Sequence, residues 1–132
     1  MSTLDNPKAL FKSSCSSNSE PYALQNIGDM MSPEFSENCI IIVDPSIPIH
    51  NEAYVIVDFN DELYFRQYIE ESGRKFLRCL NSSYYEIELN NSFEVLGCIT
   101  QQKQRKQKPL HYYLPNEFTR EIEFRPMGRE KT

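Results

Sequence analysis

Short apolar runs separated by turn residues recur over residues 22–99 of the sequence. The dipeptides Asn60-Asp61 and Ser72-Gly73 each separate two such runs, and Asn81-Ser82-Ser83 separates the next pair. Asn, Asp, Ser and Gly favour the tight turns of β-hairpins. The turns recur about every 8–12 residues, and no segment shows three turns of helical periodicity. This pattern predicts an all-β fold, a sandwich or barrel-like sheet, with at most a short helical turn at residues 32–38.

The length and charge of the chain restrict the classes of function. A chain of 132 residues corresponds to one domain. Its formal net charge of −5 argues against a general nucleic-acid surface, because phosphate binding requires a basic face. No apolar run approaches the roughly 18–20 residues of a membrane span, and the N-terminus lacks the apolar segment of a secretion signal. We therefore expect a soluble, cytoplasmic protein without membrane association.

The sequence contains four cysteines, Cys15, Cys39, Cys79 and Cys98, and two histidines. The cysteines are widely spaced and form no C-x-x-C pair, so the spacing predicts neither a zinc site nor a disulfide framework. Cys39, Cys79 and Cys98 lie in apolar runs, and we expect them to be buried free thiols. With so few ligands available, we expect no metal and no other cofactor.

Composition divides the chain into three parts. Residues 1–20 are rich in Ser and Asn and contain too little apolar surface to offset the entropy of ordering, so we expect a flexible arm. Residues 21–100 contain the β-type runs and are predicted to form the folded domain. Residues 101–132 are predicted to be a basic linker followed by a C-terminal extension, with strands or extended segments at residues 110–114 and 120–124.

The linker contains a polar run at residues 101–108 with four positive charges, Lys103, Arg105, Lys106 and Lys108. One interpretation of such a run is a solvated linker. The other is a weak, salt-sensitive contact with nucleic acid or with an acidic partner. We expect direct binding of nucleic acid, if it occurs, only through these four side chains.

Five carboxylates lie near the first two predicted turns: Asp58, Asp61, Glu62, Glu70 and Glu71. Paired carboxylates can act as acid and base, but at turns they are usually solvated, and that is what we expect here.

The apolar run at residues 63–69 alternates with a period of two, which places Tyr64, Arg66 and Tyr68 on one face. One interpretation of Arg66 is a surface arginine whose stem packs over the two tyrosines.

The segment Gly28-Asp29-Met30-Met31-Ser32-Pro33 resembles the Gly-Asp-Ser-Met-x-Pro signature of the LexA-type self-cleaving peptidases of the signal-peptidase clan. Met30 occupies the position of the family's nucleophilic serine. Further segments resemble family segments in the same order, at residues 22–27, 39–45, 53–57, 62–68, 81–87 and 93–99. The resemblance covers residues 21–100 and implies twisted sheets that form a partly open barrel.

The segment at residues 62–68 resembles the strand that carries the family's lysine general base. Arg66 occupies the lysine position, 36 residues after Met30. The family's dyad works because a buried lysine loses its proton and then accepts one from the serine. A thioether cannot become an attacking oxygen, and an arginine stays protonated because the pKa of its guanidinium lies far above neutral pH. The resemblance thus implies an inactive site with degenerate positions Met30 and Arg66. The loop positions that still match the signature are Gly28, Asp29, Met31 and Pro33.

Ser32 lies two residues beyond the degenerate position and is a candidate replacement nucleophile. A shift of two residues moves a hydroxyl by several ångströms, whereas near-attack geometry tolerates about 1 Å. We expect Ser32 to cap a turn before Pro33 instead. A peptidase that uses a nucleophile foreign to the family remains an alternative.

The resemblance implies two roles, dimerisation of a repressor and self-cleavage that ends repression. We expect a catalytically inactive LexA-type domain that acts as a dimerisation or interaction module in transcriptional or stress-response regulation, such as the SOS response. The expected partners are a second copy of the chain and a DNA-binding regulator or a polymerase. The alternatives are a UmuD-like accessory subunit, which the short N-terminal arm favours, and a regulator related to phage repressors.

Overall fold

The structure is a computed structural model and describes residues 20–131. These residues form nine β-strands and no α-helix, which confirms the all-β class. The strands are β1 (Tyr22–Gln25), β2 (Ile40–Asp44), β3 (Tyr54–Phe59), β4 (Glu62–Glu71), β5 (Arg74–Arg78), β6 (Ile87–Glu88), β7 (Phe93–Lys103), β8 (Leu110–Pro115) and β9 (Ile122–Glu130). The predicted arm, apart from Glu20, and Cys15 lie outside the described residues.

All nine strands belong to one antiparallel sheet in the order β1-β2-β7-β3-β4-β5-β6, with β8 beside β7 and β9 beside β8. The 11-residue strand β7 is its centre. One edge of β7 pairs with β2. The other edge pairs first with β3 and then, at Gln101 and Gln102, with β8. Within the described residues the sheet is open, with β1 and β6 at the ends of its main path.

The two tight turns predicted from the sequence are confirmed. Asn60 and Asp61 connect β3 to β4 with φ of 52° and 65°, and Ser72 and Gly73 connect β4 to β5 with φ of 51° and 77°. Two successive residues with positive φ are the mark of a type I′ turn, whose twist matches that of the flanking strands. The turn at Asn81 also forms, but it lies within a longer connection between β5 and β6.

The core lies on both faces of β3, all six residues of which are buried. Tyr54 and Ile56 contribute to one apolar cluster, together with residues of the loop that precedes β2. Val55 and Val57 contribute to a second cluster on the opposite face. Cys39, Cys79 and Cys98 are buried free thiols, as the sequence predicted.

The C-terminal segments predicted as strands are present as β8 and β9, although β9 begins two residues later than expected and is longer. The linker was predicted to begin at residue 101, but residues 101–103 are strand, because β7 continues to Lys103. Gln102 is only 1% exposed and donates from Nε2 to Glu34 O at 2.8 Å and to Tyr112 Oη at 2.9 Å. The composition of residues 101–108 predicted a solvated side chain at Gln102. The amide is buried instead, because these partners from elsewhere in the fold satisfy its hydrogen bonds.

Asp58 corrects another expectation, since it lies on central strand β3 and is only 8% exposed. The other four carboxylates of that group are exposed, as expected. No part of residues 20–131 forms a helix of the length and apolarity that crossing a bilayer requires.

Candidate functional site

Met30 and Arg66, which are 36 residues apart in the sequence, meet side chain to side chain. Arg66 lies on β4, and Met30 lies in the turn between β1 and β2. The distance from Arg66 Nη2 to Met30 Sδ is 3.4 Å. The contact of Met30 is therefore with the guanidinium and its charge.

The turn that carries Met30 is held by the connection between β5 and β6. Asn81 donates from its backbone N–H to Met30 O at 3.0 Å and from Nδ2 to Asp29 O at 3.1 Å. Tyr84 Oη donates to Asp29 Oδ1 at 2.6 Å. Phe35 N–H donates to Met31 O at 2.9 Å, which closes one helical turn close to the predicted position. These bonds fix the backbone on both sides of Met30.

The Arg66 guanidinium is incompletely satisfied. Nη1 donates to Phe65 O at 2.8 Å, and the guanidinium carbon lies 5.3 Å from the centre of the Tyr64 ring. Nε is buried and has no hydrogen-bond partner, and none of the ion pairs within residues 20–131 includes Arg66. A buried donor without an acceptor costs about 1–3 kcal/mol. The contact with Tyr64 agrees with the period-two pattern of β4.

A cleft of about 210 Å³ opens beside this pair. It lies where β4 passes the ends of β1 and β2, and Arg66 is the one charged residue among those that line it. The lining residues are Gln25, Asn26, Ile27, Met30, Met31, Ile41, Leu63, Tyr64, Phe65 and Arg66. No serine, cysteine, lysine or histidine of the described residues lines the cleft. The sequence identified Met30, Met31 and Arg66, but not the walls at Ile27 and Leu63, because they are brought together only by the sheet.

The back of the same turn is attached to the C-terminal strands. Tyr112 Oη of β8 donates to Glu34 Oε2 at 2.6 Å, and Gly128 N–H of β9 donates to the same oxygen at 3.0 Å. Phe35 is fully buried and packs within 5.1 Å of the rings of Tyr54, Phe65 and Tyr112, measured between ring centres. Sequence reasoning missed this attachment, since no local pattern relates residue 34 to residue 112.

The chemistry available in the cleft is limited. Met30 has no proton to lose, and Arg66 cannot accept one. Burial, reinforced by the hydrogen bond to Glu62, raises the pKa of the Tyr64 hydroxyl, which therefore stays protonated. Ser32 is half-buried outside the lining of the cleft, and its N–H donates to Asp29 O at 3.1 Å.

The basic side chains of the predicted linker are all exposed. Lys103 is the last residue of β7, and Arg105, Lys106 and Lys108 lie in the loop between β7 and β8. No group of three His, Cys, Asp or Glu side chains in the described part of the chain is placed to hold a metal ion.

The model of the family described as Peptidase S24-like matches residues 2–100. The chain belongs to the Peptidase S24-like family. This confirms the resemblance to the LexA-type peptidases. The matched segment ends at Thr100, within β7 and before β8 and β9. The two C-terminal strands, which hold Glu34, are therefore an addition to the segment that the family model covers.

Relatives of this S24-like chain are named as repressors and regulators. It is 33% identical over 69 residues to Repressor protein C2 of Salmonella phage P22, covering 51% of this chain and 32% of the relative. It is 32% identical over 82 residues to the Prophage repressor CohE of Escherichia coli (strain K12), and this match covers 59% of this chain and 37% of the relative. It is 29% identical over 87 residues to the HTH-type transcriptional regulator for conjugative element SXT of Vibrio cholerae, and this match covers 61% of this chain and 40% of the relative. The matched part of the chain thus spans 32% to 40% of the length of these relatives.

Proposed function

We propose that this S24-like domain is catalytically inactive and acts as an association module in transcriptional or stress-response regulation. The observation that carries the proposal is the contact of Met30 with Arg66 at 3.4 Å, because the two side chains occupy the positions that the family resemblance assigns to nucleophile and base. A side chain without a proton and a permanent cation cannot perform the Ser-Lys reaction. The relatives named as repressors and regulators support the regulatory setting, and with it a cytoplasmic location.

Self-cleavage tests the loss of activity. Purified protein is incubated at mildly alkaline pH, where a Ser-Lys dyad would be favoured because its lysine loses a proton more readily. The expected result is a single species of unchanged intact mass after prolonged incubation. A discrete new fragment, absent from a sample kept at neutral pH in the cold, would contradict the proposal.

Association is the second part of the proposal. An S24-like domain that has lost cleavage can still function if its remaining task is to pair with a second copy or to dock on a DNA-binding regulator or a polymerase. We expect a homodimer, and light scattering at tens of micromolar protein should return twice the mass of the chain. A monomer mass at that concentration would contradict this part alone and leave the inactive site untouched.

Two alternatives have their own readouts. A peptidase with Ser32 as nucleophile is disfavoured, because Ser32 lies outside the lining of the cleft and no lysine or histidine of the described residues lines it. Direct contact with nucleic acid through the β7–β8 loop is favoured only by its exposed basic residues. Binding to a DNA duplex that disappears when these residues are replaced by glutamine would establish that contact.

A further inference from the structure

We propose that the cleft beside Arg66 binds the C-terminal carboxylate of a peptide whose last side chain is apolar. The proposal deepens the association role, since it names the chemistry of one partner. It rests on the proposed function only in requiring a cleft without peptidase activity. A failure here leaves the self-cleavage and mass measurements unaffected.

The first argument is the unused edge of the guanidinium. Elsewhere in the protein, Arg74 binds Glu88 through Nε and Nη2, at 2.9 and 2.7 Å. The same edge of Arg66 has no carboxylate: Nε is without a partner, and Nη2 contacts the Met30 sulphur at 3.4 Å. A thioether is a weak acceptor, whereas this edge of arginine matches the two oxygens of a carboxylate.

The second argument is the composition of the cleft. Arg66 is the one charged group in the lining of this space of about 210 Å³. The walls are mainly apolar, with side chains such as Met31, Ile41 and Leu63, and include three uncharged polar residues, Gln25, Asn26 and Tyr64. Ile27, at the rim, is 46% exposed. A partly buried cation without an ion-pair partner favours an anion beside it, and the mainly apolar walls favour a ligand with an apolar group next to that anion.

The third argument favours a peptide over a small organic acid. Strand β5 pairs only with residues 67–71 of β4, so the opposite edge of β4 from residue 62 to residue 66 has no strand beside it in the described structure. Tyr68 N–H donates to Ala53 O at 2.8 Å, so the backbone groups of Tyr68 face the β3 side of β4. Successive residues of a strand point their N–H and C=O groups to opposite edges, so those of Phe65, three residues earlier, face the open edge. The carbonyl of Phe65 accepts a bond from Arg66 Nη1. An extended peptide can pair with such an edge.

Met30 occupies the place that a carboxylate would take. Its side chain lies over Gly28, where an added Cβ would stand 2.8 Å from Met30 Cε, and its sulphur touches the guanidinium. Methionine is unbranched and flexible, so it can move aside for a ligand. Shortening Met30 should therefore strengthen binding.

Three probes test the proposal by NMR titration of the full chain. The first is an N-acetylated tripeptide ending in leucine with a free carboxylate, the second is the same peptide as its C-terminal amide, and the third is 4-methylpentanoate. The first should shift the Arg66 Nε–Hε signal and the backbone amides of residues 63–66 saturably. The amide should bind at least about tenfold more weakly, since it lacks the charge-assisted pair. The small acid should also bind about tenfold more weakly, since it cannot pair with the strand edge.

Variants assign the effect to the cleft. Arg66→Met keeps the apolar stem but removes the charge, and it should abolish binding. Arg66→Lys keeps the charge and should weaken binding about tenfold. Met30→Ala should tighten binding. Arg74→Met is the matched control and should bind like the wild type. Each variant is first checked for a native-like amide spectrum, and Arg66→Lys decides the outcome if Arg66→Met does not fold.

Three results would overturn the proposal. They are the absence of saturable shifts at residues 63–66, equal affinity for the acid and the amide, and unchanged affinity in the Arg66 variants. Equal affinity for 4-methylpentanoate and the peptide would overturn the peptide as the ligand.

Discussion

The hydroxyl of Tyr112 connects the C-terminal strands to the turn that carries Met30, and the variant Tyr112→Phe removes only that hydroxyl. In the wild type it donates to Glu34 Oε2 at 2.6 Å and accepts from Gln102 Nε2 at 2.9 Å. Burial, followed by the effect of Glu34, raises the pKa of Tyr112, so the hydroxyl stays protonated and available as a donor. The ring remains in place in the variant, because phenylalanine fills the same apolar space.

The magnitude follows from the partners that are lost. A hydrogen bond to a charged acceptor contributes about 1.5–3 kcal/mol. Glu34 keeps the bond from Gly128 N–H, and Gln102 Nε2 keeps Glu34 O, so neither group becomes fully unsatisfied. We therefore expect a loss of about 2 kcal/mol in the free energy of unfolding. For a domain of this size that corresponds to a fall in Tm of about 8 °C.

Tyr22→Phe is the matched control for that measurement. The hydroxyl of Tyr22 is buried and has no hydrogen-bond partner, so its removal should leave Tm unchanged or raise it. Both variants are followed by thermal unfolding at neutral pH and by urea unfolding. Equal losses in the two variants, or no loss in Tyr112→Phe, would show that the bonds to Glu34 do not hold the C-terminal strands on the domain.

Two further predictions concern the sheet and its buried thiols. Gly97→Ala should destabilise the protein by more than about 2 kcal/mol, because a Cβ there would lie 2.6 Å from Val43 Cγ1 and 3.0 Å from the backbone of Asp44. Gly73→Ala, at φ 77° with open space around it, should cost only about 1 kcal/mol in urea unfolding; a smaller loss for Gly97→Ala than for Gly73→Ala would contradict the close pairing of β2 and β7. Burial raises the pKa of Cys39 and of Cys98 from 9.0 to about 11, so the folded state holds their protons longer than the unfolded state. The stability that these thiols contribute is present below pH 9 and is lost as the pH rises toward 11. The urea midpoint should therefore fall over that window, and it should fall less in the double variant Cys39→Ala/Cys98→Ala. A midpoint that does not change with pH would contradict the burial of the thiols.

Local signals in the sequence predicted the local structure. Asn60-Asp61 and Ser72-Gly73 favour positive φ, and both form the tight turns expected of them. The alternation in β4 correctly placed Arg66 beside Tyr64. Strands or extended segments were also predicted where β8 and β9 lie, and for β9 the alternation of residues 118–124 is visible without any partner.

Features that depend on distant partners were not predictable in this way. Gln102 was expected in solvent, and it is buried because Tyr112 and Glu34 supply its hydrogen bonds. Asp58 was expected at a solvated turn, but it belongs to a strand covered on both faces. The position of Met30 beside Arg66 was expected from the family resemblance alone, since no pattern of spacing or charge relates two residues so far apart.

Labelling with a fluorophosphonate probe, read by intact mass and peptide mapping, tests the central claim that Met30 and Arg66 occupy a peptidase site without its chemistry. The wild type and the single variants Met30→Ser and Arg66→Lys should remain unlabelled, because each lacks the nucleophile, the base or both. The double variant Met30→Ser/Arg66→Lys places a hydroxyl and an ionisable amine at the two positions whose side chains are in contact in the wild type, and it should be labelled at position 30. Labelling of the wild type at Ser32 or at any other serine, or a folded double variant that stays unlabelled, would contradict the account.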